Sequence, residues 1–162
     1  MEDILEVLKT GMEIELNGIT LYKSASERTD DPKAKEVFNF LSQEEVKHYG
    51  YLKKAYDAAS SGEKINIEIS LPETSFNRIF SDDFLKNLKG KNFEFSAIST
   101  GMILEKNSVL FYSEQAKKAT DPNVKHLFEE LAKWEEGHLN MLTKEYNDIK
   151  ERFWEDNRFS PF

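Results

Sequence analysis

The sequence predicts an all-α fold, a four-helix bundle with one long crossover between helices 2 and 3, and three observations carry that reading. Apolar residues step by four and three along four stretches, the spacing of a single helical face. Glycine and proline are scarce, seven and four in 162 residues, so little punctuates those stretches. The chain also repeats itself: a shift of 90 residues aligns 11–56 on 101–146 without a gap, with 15 identities in 46 pairs.

The first helix spans residues 2–29 with Leu8, Met12, Ile19 and Tyr22 on one stripe, and the second spans 32–60 with Ala34, Phe38, Leu41, Leu52 and Ala55. The third spans 93–119 through Ile98, Met102, Val109 and Tyr112; the fourth runs from 122 to about 152 through Val124, Phe128, Leu131 and Leu142. Asp31-Pro32 and Asp121-Pro122 are start signals, because Asp accepts from free first-turn amides and Pro fits the first helical position. From Ser60-Ser61-Gly62 to Gly90 the pattern lapses, over a length too great for a tight helix–helix turn. Such a connection can run the height of a bundle and return the third helix parallel to the second. A short helix is expected within Ser75–Leu88, with Phe76, Ile79, Phe80 and Phe84 packing on the bundle. The organisation is a single domain over 1–162: a helical hairpin at 1–60, a crossover at 61–92, a second hairpin at 93–152, and an aromatic tail at 153–162. That tail, with Phe153, Trp154, Phe159 and Phe162, covers a bundle end or meets another subunit.

Composition excludes several functions. There is no cysteine, which removes disulfides, thiolate metal sites and thiol nucleophiles. A net charge of −8 argues against a nucleic-acid-binding face. The acidic opening Met1-Glu2-Asp3 lacks a signal peptide's basic start, and no apolar run reaches membrane-spanning length. The expectation is a soluble cytoplasmic protein that binds neither nucleic acid nor membrane. No glycine-rich phosphate loop or nucleophile elbow is present.

The chemistry lies on the helix stripes, whose stepping passes through groups foreign to an apolar core. Glu15 lies on the first stripe, Glu45 and His48 on the second, Glu105 on the third, Glu135 and His138 on the fourth. Four carboxylates buried together require compensating positive charge, since one desolvated ion already costs several kcal/mol. No Lys or Arg shares those positions, whereas two divalent cations cancel four Glu charges and leave two neutral His as nitrogen donors. Each Glu-x-x-His pair puts both side chains on one face, a turn apart. One such pair is weak evidence; two at matching repeat positions, each with a lone inward Glu on the preceding helix, point to a metal site. The alternative is an apo bundle whose Glu and His hydrogen-bond to each other or face water. Tyr22 and Tyr112, two turns beyond Glu15 and Glu105, read either as core aromatics or as donors to ligand carboxylates across the bundle. Trp134 reads as packing or interface, His126 as a surface residue, and Met12 and Met102 as core filler. The pairs Glu44-Glu45, Glu129-Glu130 and Glu135-Glu136 read as solvated faces apart from Glu45 and Glu135.

Together these residues resemble the ferritin-like di-iron carboxylate proteins, and within them the rubrerythrin branch, over 8–56 and 98–146. The resemblance implies a ferritin-like bundle with two iron ions, or manganese or zinc in their place. It implies bridging by Glu45 and Glu135, with Glu15 and His48 serving one ion, Glu105 and His138 the other, and Tyr22 and Tyr112 supporting the ligands. The chain lacks the four-cysteine rubredoxin domain, so electrons are expected from an external donor protein. It has Ser108 where rubrerythrins place a further Glu, which makes the six-ligand set closer to bacterioferritin-type centres. No fifth helix is evident, which disfavours a ferritin cage.

The activity implied is a di-iron oxidoreductase reducing hydrogen peroxide or dioxygen, acting through Glu15, Glu45, His48, Glu105, Glu135 and His138 with Tyr22 and Tyr112 behind them. The alternatives are a ferroxidase that handles iron and a bundle in which metal only staples the halves. A homodimer is the default expectation.

Overall fold

In the computed structural model, which describes residues 3–70 and 78–156, every regular element is helical. The order is α1 (Ile4–Arg28), α2 (Pro32–Ser60), α3 (Asp82–Lys86), α4 (Asn92–Lys118) and α5 (Pro122–Asp156). The starts follow from capping chemistry. Asp3 accepts from the Leu5 amide at 3.1 Å, Asp31 from Ala34 at 2.9 Å, and Asp121 from Asn123 at 2.8 Å and Val124 at 3.2 Å. Helix α2 ends where Gly62 turns to a φ of +74°, and the Gly62 and Glu63 amides return to the Ala59 and Ala58 carbonyls.

Long-range contacts fix the directions. The Ser42 hydroxyl donates to the Ile19 carbonyl while Leu52 lies over Gly11, so α2 runs antiparallel to α1. Tyr22 reaches Glu105 and Tyr112 reaches Glu15, so α4 is antiparallel to α1 as well. Helices α2 and α4 are therefore parallel, and the segment between them must travel the length of the bundle, as its length implied.

That segment contributes only one short helix, narrower than the Ser75–Leu88 window in which it was expected. Ser81 caps it, and Phe84 stacks on Phe80 at 4.0 Å. Ile79, Phe80, Phe84 and Leu85 are buried in the core, whereas Phe76 lies outside the described residues. Two carboxylates pin the crossover: Asp31 accepts from the Ser81 amide at 3.1 Å and from its hydroxyl, and Glu145 accepts from the Phe80 amide at 3.0 Å. Helix α5 continues past the expected end near 152 to Asp156, so Phe153 and Trp154 are helical and exposed rather than part of a separate tail. Phe159 and Phe162 lie outside the described residues.

The apolar core is divided in two. One cluster gathers Tyr22, Phe38, Leu41, Ile98 and Leu142 with the crossover residues; the other gathers Leu8, Leu52, Tyr112, Phe128 and Leu131. Each draws on both hairpins, and the division has a polar cause, described below. No helix among the described residues is long and apolar enough to cross a membrane.

The repeat makes a stability comparison possible. Asp31 both caps α2 and holds the crossover, while its twin Asp121 is exposed and caps only α5. Asp121→Ala is expected to cost about 1 kcal/mol, and Asp31→Ala more, about 2 kcal/mol, because it also removes the acceptor for two half-buried donors on Ser81. Urea unfolding of the two variants checks the order; equal costs would show that the crossover anchor contributes nothing.

Candidate metal centre

Between the two apolar clusters lie the six side chains that the stripes place inward: Glu15 on α1, Glu45 and His48 on α2, Glu105 on α4, and Glu135 and His138 on α5. All are buried, none above 5% exposed. The structure brings them into two overlapping groups, Glu15, Glu45, His48 and Glu135, and Glu45, Glu105, Glu135 and His138. Within each group, one donor atom per residue lies within 4.8 Å of all the others.

The repeat is reproduced in the geometry. Nδ1 of His48 lies 2.9 Å from Glu135, 3.2 Å from Glu45 and 3.5 Å from Glu15. Nδ1 of His138 lies 3.2 Å from Glu45, 3.2 Å from Glu135 and 3.7 Å from Glu105. Glu45 turns Oε2 to His48 and Oε1 to His138, and Glu135 turns Oε1 to His48 and Oε2 to His138. These two carboxylates are thus shared between the halves, whereas Glu15 and Glu105 each belong to one.

Tyr22 and Tyr112 cross the bundle. The Tyr22 hydroxyl donates to Glu105 and the Tyr112 hydroxyl to Glu15, so each hairpin braces a carboxylate of the other. Their rings stack on Phe38 and Phe128, at 6.4 Å and 6.1 Å between centroids. The repeated glycines make room for them. A Cβ at Gly101 would sit 3.1 Å from the Tyr22 hydroxyl, and one at Gly11 would sit 3.4 Å from Cε1 of Tyr112. Burial, then the neighbouring Glu105 or Glu15, pushes both phenols well up, which keeps them protonated as donors.

The electrostatics separate the carboxylates into two kinds. For Glu15 and Glu105, burial and then the charges of Glu135 and Glu45 push the carboxyls well up, toward the neutral acid. Glu45 and Glu135 feel the same burial, but the imidazoles of His48 and His138 close to their oxygens outweigh it and pull them down. Both imidazoles resist burial, which lowers them, because the surrounding carboxylates raise them further. Without metal, the shifts favour the anion at Glu45 and Glu135, the cation at His48 and His138, and the neutral acid at Glu15 and Glu105.

Those side chains fit a metal pair. Despite their proximity, Glu45 Oε1, Glu135 Oε2, His138 Nδ1 and His48 Nε2 are sealed from solvent and make no hydrogen bond among the described residues. Unmatched buried donors and acceptors are rare in a finished core. Carboxylate and imidazole in this number suit a first-row divalent ion.

One residue departs from expectation. Glu44, expected on a solvated face, is buried: it accepts from the Trp134 indole N–H at 3.0 Å and from Lys47 Nζ at 2.6 Å. Shifted by 90 residues, Glu44 falls on Trp134. A position occupied by glutamate in one copy and tryptophan in the other was the signal available. His126 is exposed, and Met12 and Met102 pack beside the two clusters. A cavity of about 920 Å³ opens at one bundle end, by Val7, Ile65, Val124 and Phe128, and takes in none of the six residues.

A family model for rubrerythrin matches residues 6–146. The chain belongs to the rubrerythrin family. Its membership makes it a ferritin-like di-iron protein by family, and the buried Glu/His set could hold a metal ion. A hypothetical protein from Pyrococcus furiosus shares the fold, with a TM-score of 0.68 at 22% identity over 93% of this chain and 92% of that one. No curated protein matches the chain.

A pH dependence follows. An ion must displace the imidazole proton and any proton left on the lone Glu, so protons compete with metal. Because His48, His138, Glu15 and Glu105 all hold protons to higher pH than usual, affinity must rise with pH. Divalent-metal titrations from about pH 5.5 to 8, spanning the ordinary imidazole range, should show this rise together with proton release into weak buffer. A flat profile would contradict the charge pattern.

Proposed function

We propose that this rubrerythrin-family chain is an oxidoreductase that reduces hydrogen peroxide at a pair of iron ions, with electrons from an external donor. The observation that supports the ion pair is the sharing of Glu45 and Glu135, each with one oxygen toward either half, while the choice of peroxide rests on the rubrerythrin family match. That is the disposition a bridging carboxylate needs. Glu15 and His48 would then hold one ion, and Glu105 and His138 the other. Two ferrous ions held there would supply two electrons, the number that with two protons reduces one hydrogen peroxide to two waters.

The protein's part is to hold and insulate. Four carboxylates would stabilise the higher charge of an oxidised ion pair more than that of a reduced one, which would favour electron loss. Tyr22 and Tyr112 fix the lone Glu in orientation, a constraint that supporting hydrogen bonds commonly impose on ligands. The apolar clusters above and below exclude bulk water, so charge–charge interactions within the layer are only weakly screened. These 162 residues contain no cysteine, so they hold no thiolate redox centre to return the electrons.

The test is anaerobic loading with two ferrous ions per chain, followed by stopped-flow mixing with hydrogen peroxide or with dioxygen. Faster oxidation by peroxide is expected; faster oxidation by dioxygen, with iron accumulating on repeated additions, would make the chain a ferroxidase instead. Separately, Glu45→Ala or Glu135→Ala should abolish binding of an ion pair. A variant that still retains two tightly bound ions by equilibrium dialysis would refute the bridging role.

A further inference from the structure

The two halves of the centre match in their ligands and differ in what lies against them. On α2, Glu44, His48 and Tyr51 follow one face, and the Trp134 indole from α5 meets all three. Its N–H donates to Glu44 at 3.0 Å, its ring meets the His48 imidazole edge-on at 4.4 Å, and Tyr51 lies 6.1 Å away. Tyr51 in turn accepts from the Ser70 amide of the crossover at 3.2 Å. His48 is consequently 0% exposed.

The twin positions on α5 are Trp134, His138 and Met141, and the residue that the repeat places opposite them on α2 is Glu44. Glu44 has no ring to lay on an imidazole, and its carboxylate is turned to Trp134 and to the half-exposed Lys47. The twin of Lys47 is Gly137, where a Cβ would meet nothing within 4 Å. Among the described residues His138 packs against one ring only, that of His48 at 5.6 Å, and it retains 5% exposure. The position cannot be symmetric: two Glu there would oppose buried like charges, and two Trp would leave both indole N–H groups without this acceptor.

We propose that Trp134, held by Glu44, makes the two metal positions kinetically unequal. The ion held by Glu15, Glu45, His48 and Glu135 lies behind the indole and exchanges slowly. The ion held by Glu45, Glu105, Glu135 and His138 lacks that cover and is the one through which divalent cations enter and leave. Trp134 is a positioning residue here: releasing the ion would require His48 to move, and the indole packed against its ring at 4.4 Å opposes that movement. This inference rests on the metal-centre reading above.

The experiment uses the full chain with Trp154→Phe, which leaves Trp134 as the remaining indole of the two. The chain is loaded with cobalt(II), which quenches nearby indole emission, and then mixed with excess of a chelator that changes colour on binding cobalt. Two ions per chain should leave in two phases of equal amplitude, separated by about tenfold or more, the scale on which groups behind the ligands tune metal sites. Trp134 emission should recover with the slow phase. In Trp134→Ala the slow phase should accelerate into the fast one, while Trp134→Phe, which keeps a ring against His48, should retain two phases. Two ions leaving in a single phase, or emission recovering with the fast one, overturns the inference and leaves the metal centre standing. Fewer than two ions bound overturns the centre and the inference together. The emission assignment is made with Trp134 in place, so it decides the matter even if the alanine variant does not fold.

Discussion

The structure depends on the cost of placing four carboxylates and two imidazoles in the middle of a bundle. An unpaired buried charge is destabilising by several kcal/mol, so every element around this layer answers either its charge or its exclusion from water. The apolar core is split by the layer into two clusters, each drawing on both hairpins. The tyrosines sit at the junctions, with rings in the apolar clusters and hydroxyls in the polar layer. Gly11 and Gly101 leave room for those rings.

Two-fold repetition is an economical way to build such a layer, because one hairpin supplies two carboxylates, an imidazole and a tyrosine, and its copy supplies the rest. Repetition cannot be complete, however, since one chain has only one crossover. The departures fall where that asymmetry acts. Asp31 anchors the crossover and its twin Asp121 does not; Glu145 holds Phe80, whereas its twin Ala55 is an apolar core residue. Glu44 and Trp134 depart for another reason. They are twins in contact with each other, and no residue is its own best partner there.

How much of this was legible in the sequence follows from the same distinction. The four long helices and the six inward polar residues were readable because periodicity and repetition are both properties of one dimension. Asp31-Pro32 and Asp121-Pro122 marked helix starts because capping is local. Glu44 was misread because an exposed face and a buried hydrogen bond to a distant indole present the same local pattern, an acidic residue beside another. Glu145 escaped for the same reason, its partner being a crossover amide 65 residues away. In both cases the mismatch between copies held the information: a glutamate aligned with tryptophan, and a glutamate aligned with a core alanine. The extent of α3 was not legible, since five residues give too little periodicity to set a boundary.

The charge pattern bears on why such a centre can be built without committing the fold to metal. Metal-free, Glu45 and Glu135 are drawn toward the anion, His48 and His138 toward the cation, and Glu15 and Glu105 toward the neutral acid. Those directions all reduce the net charge held in the layer. Two divalent ions with four carboxylates and two neutral imidazoles would also sum to zero, so exchanging protons for ions there would change the buried net charge little. A Lys or Arg at an inward position would break this equality, since its charge would persist when the metal arrived. Both are absent from the layer, which the charge balance requires.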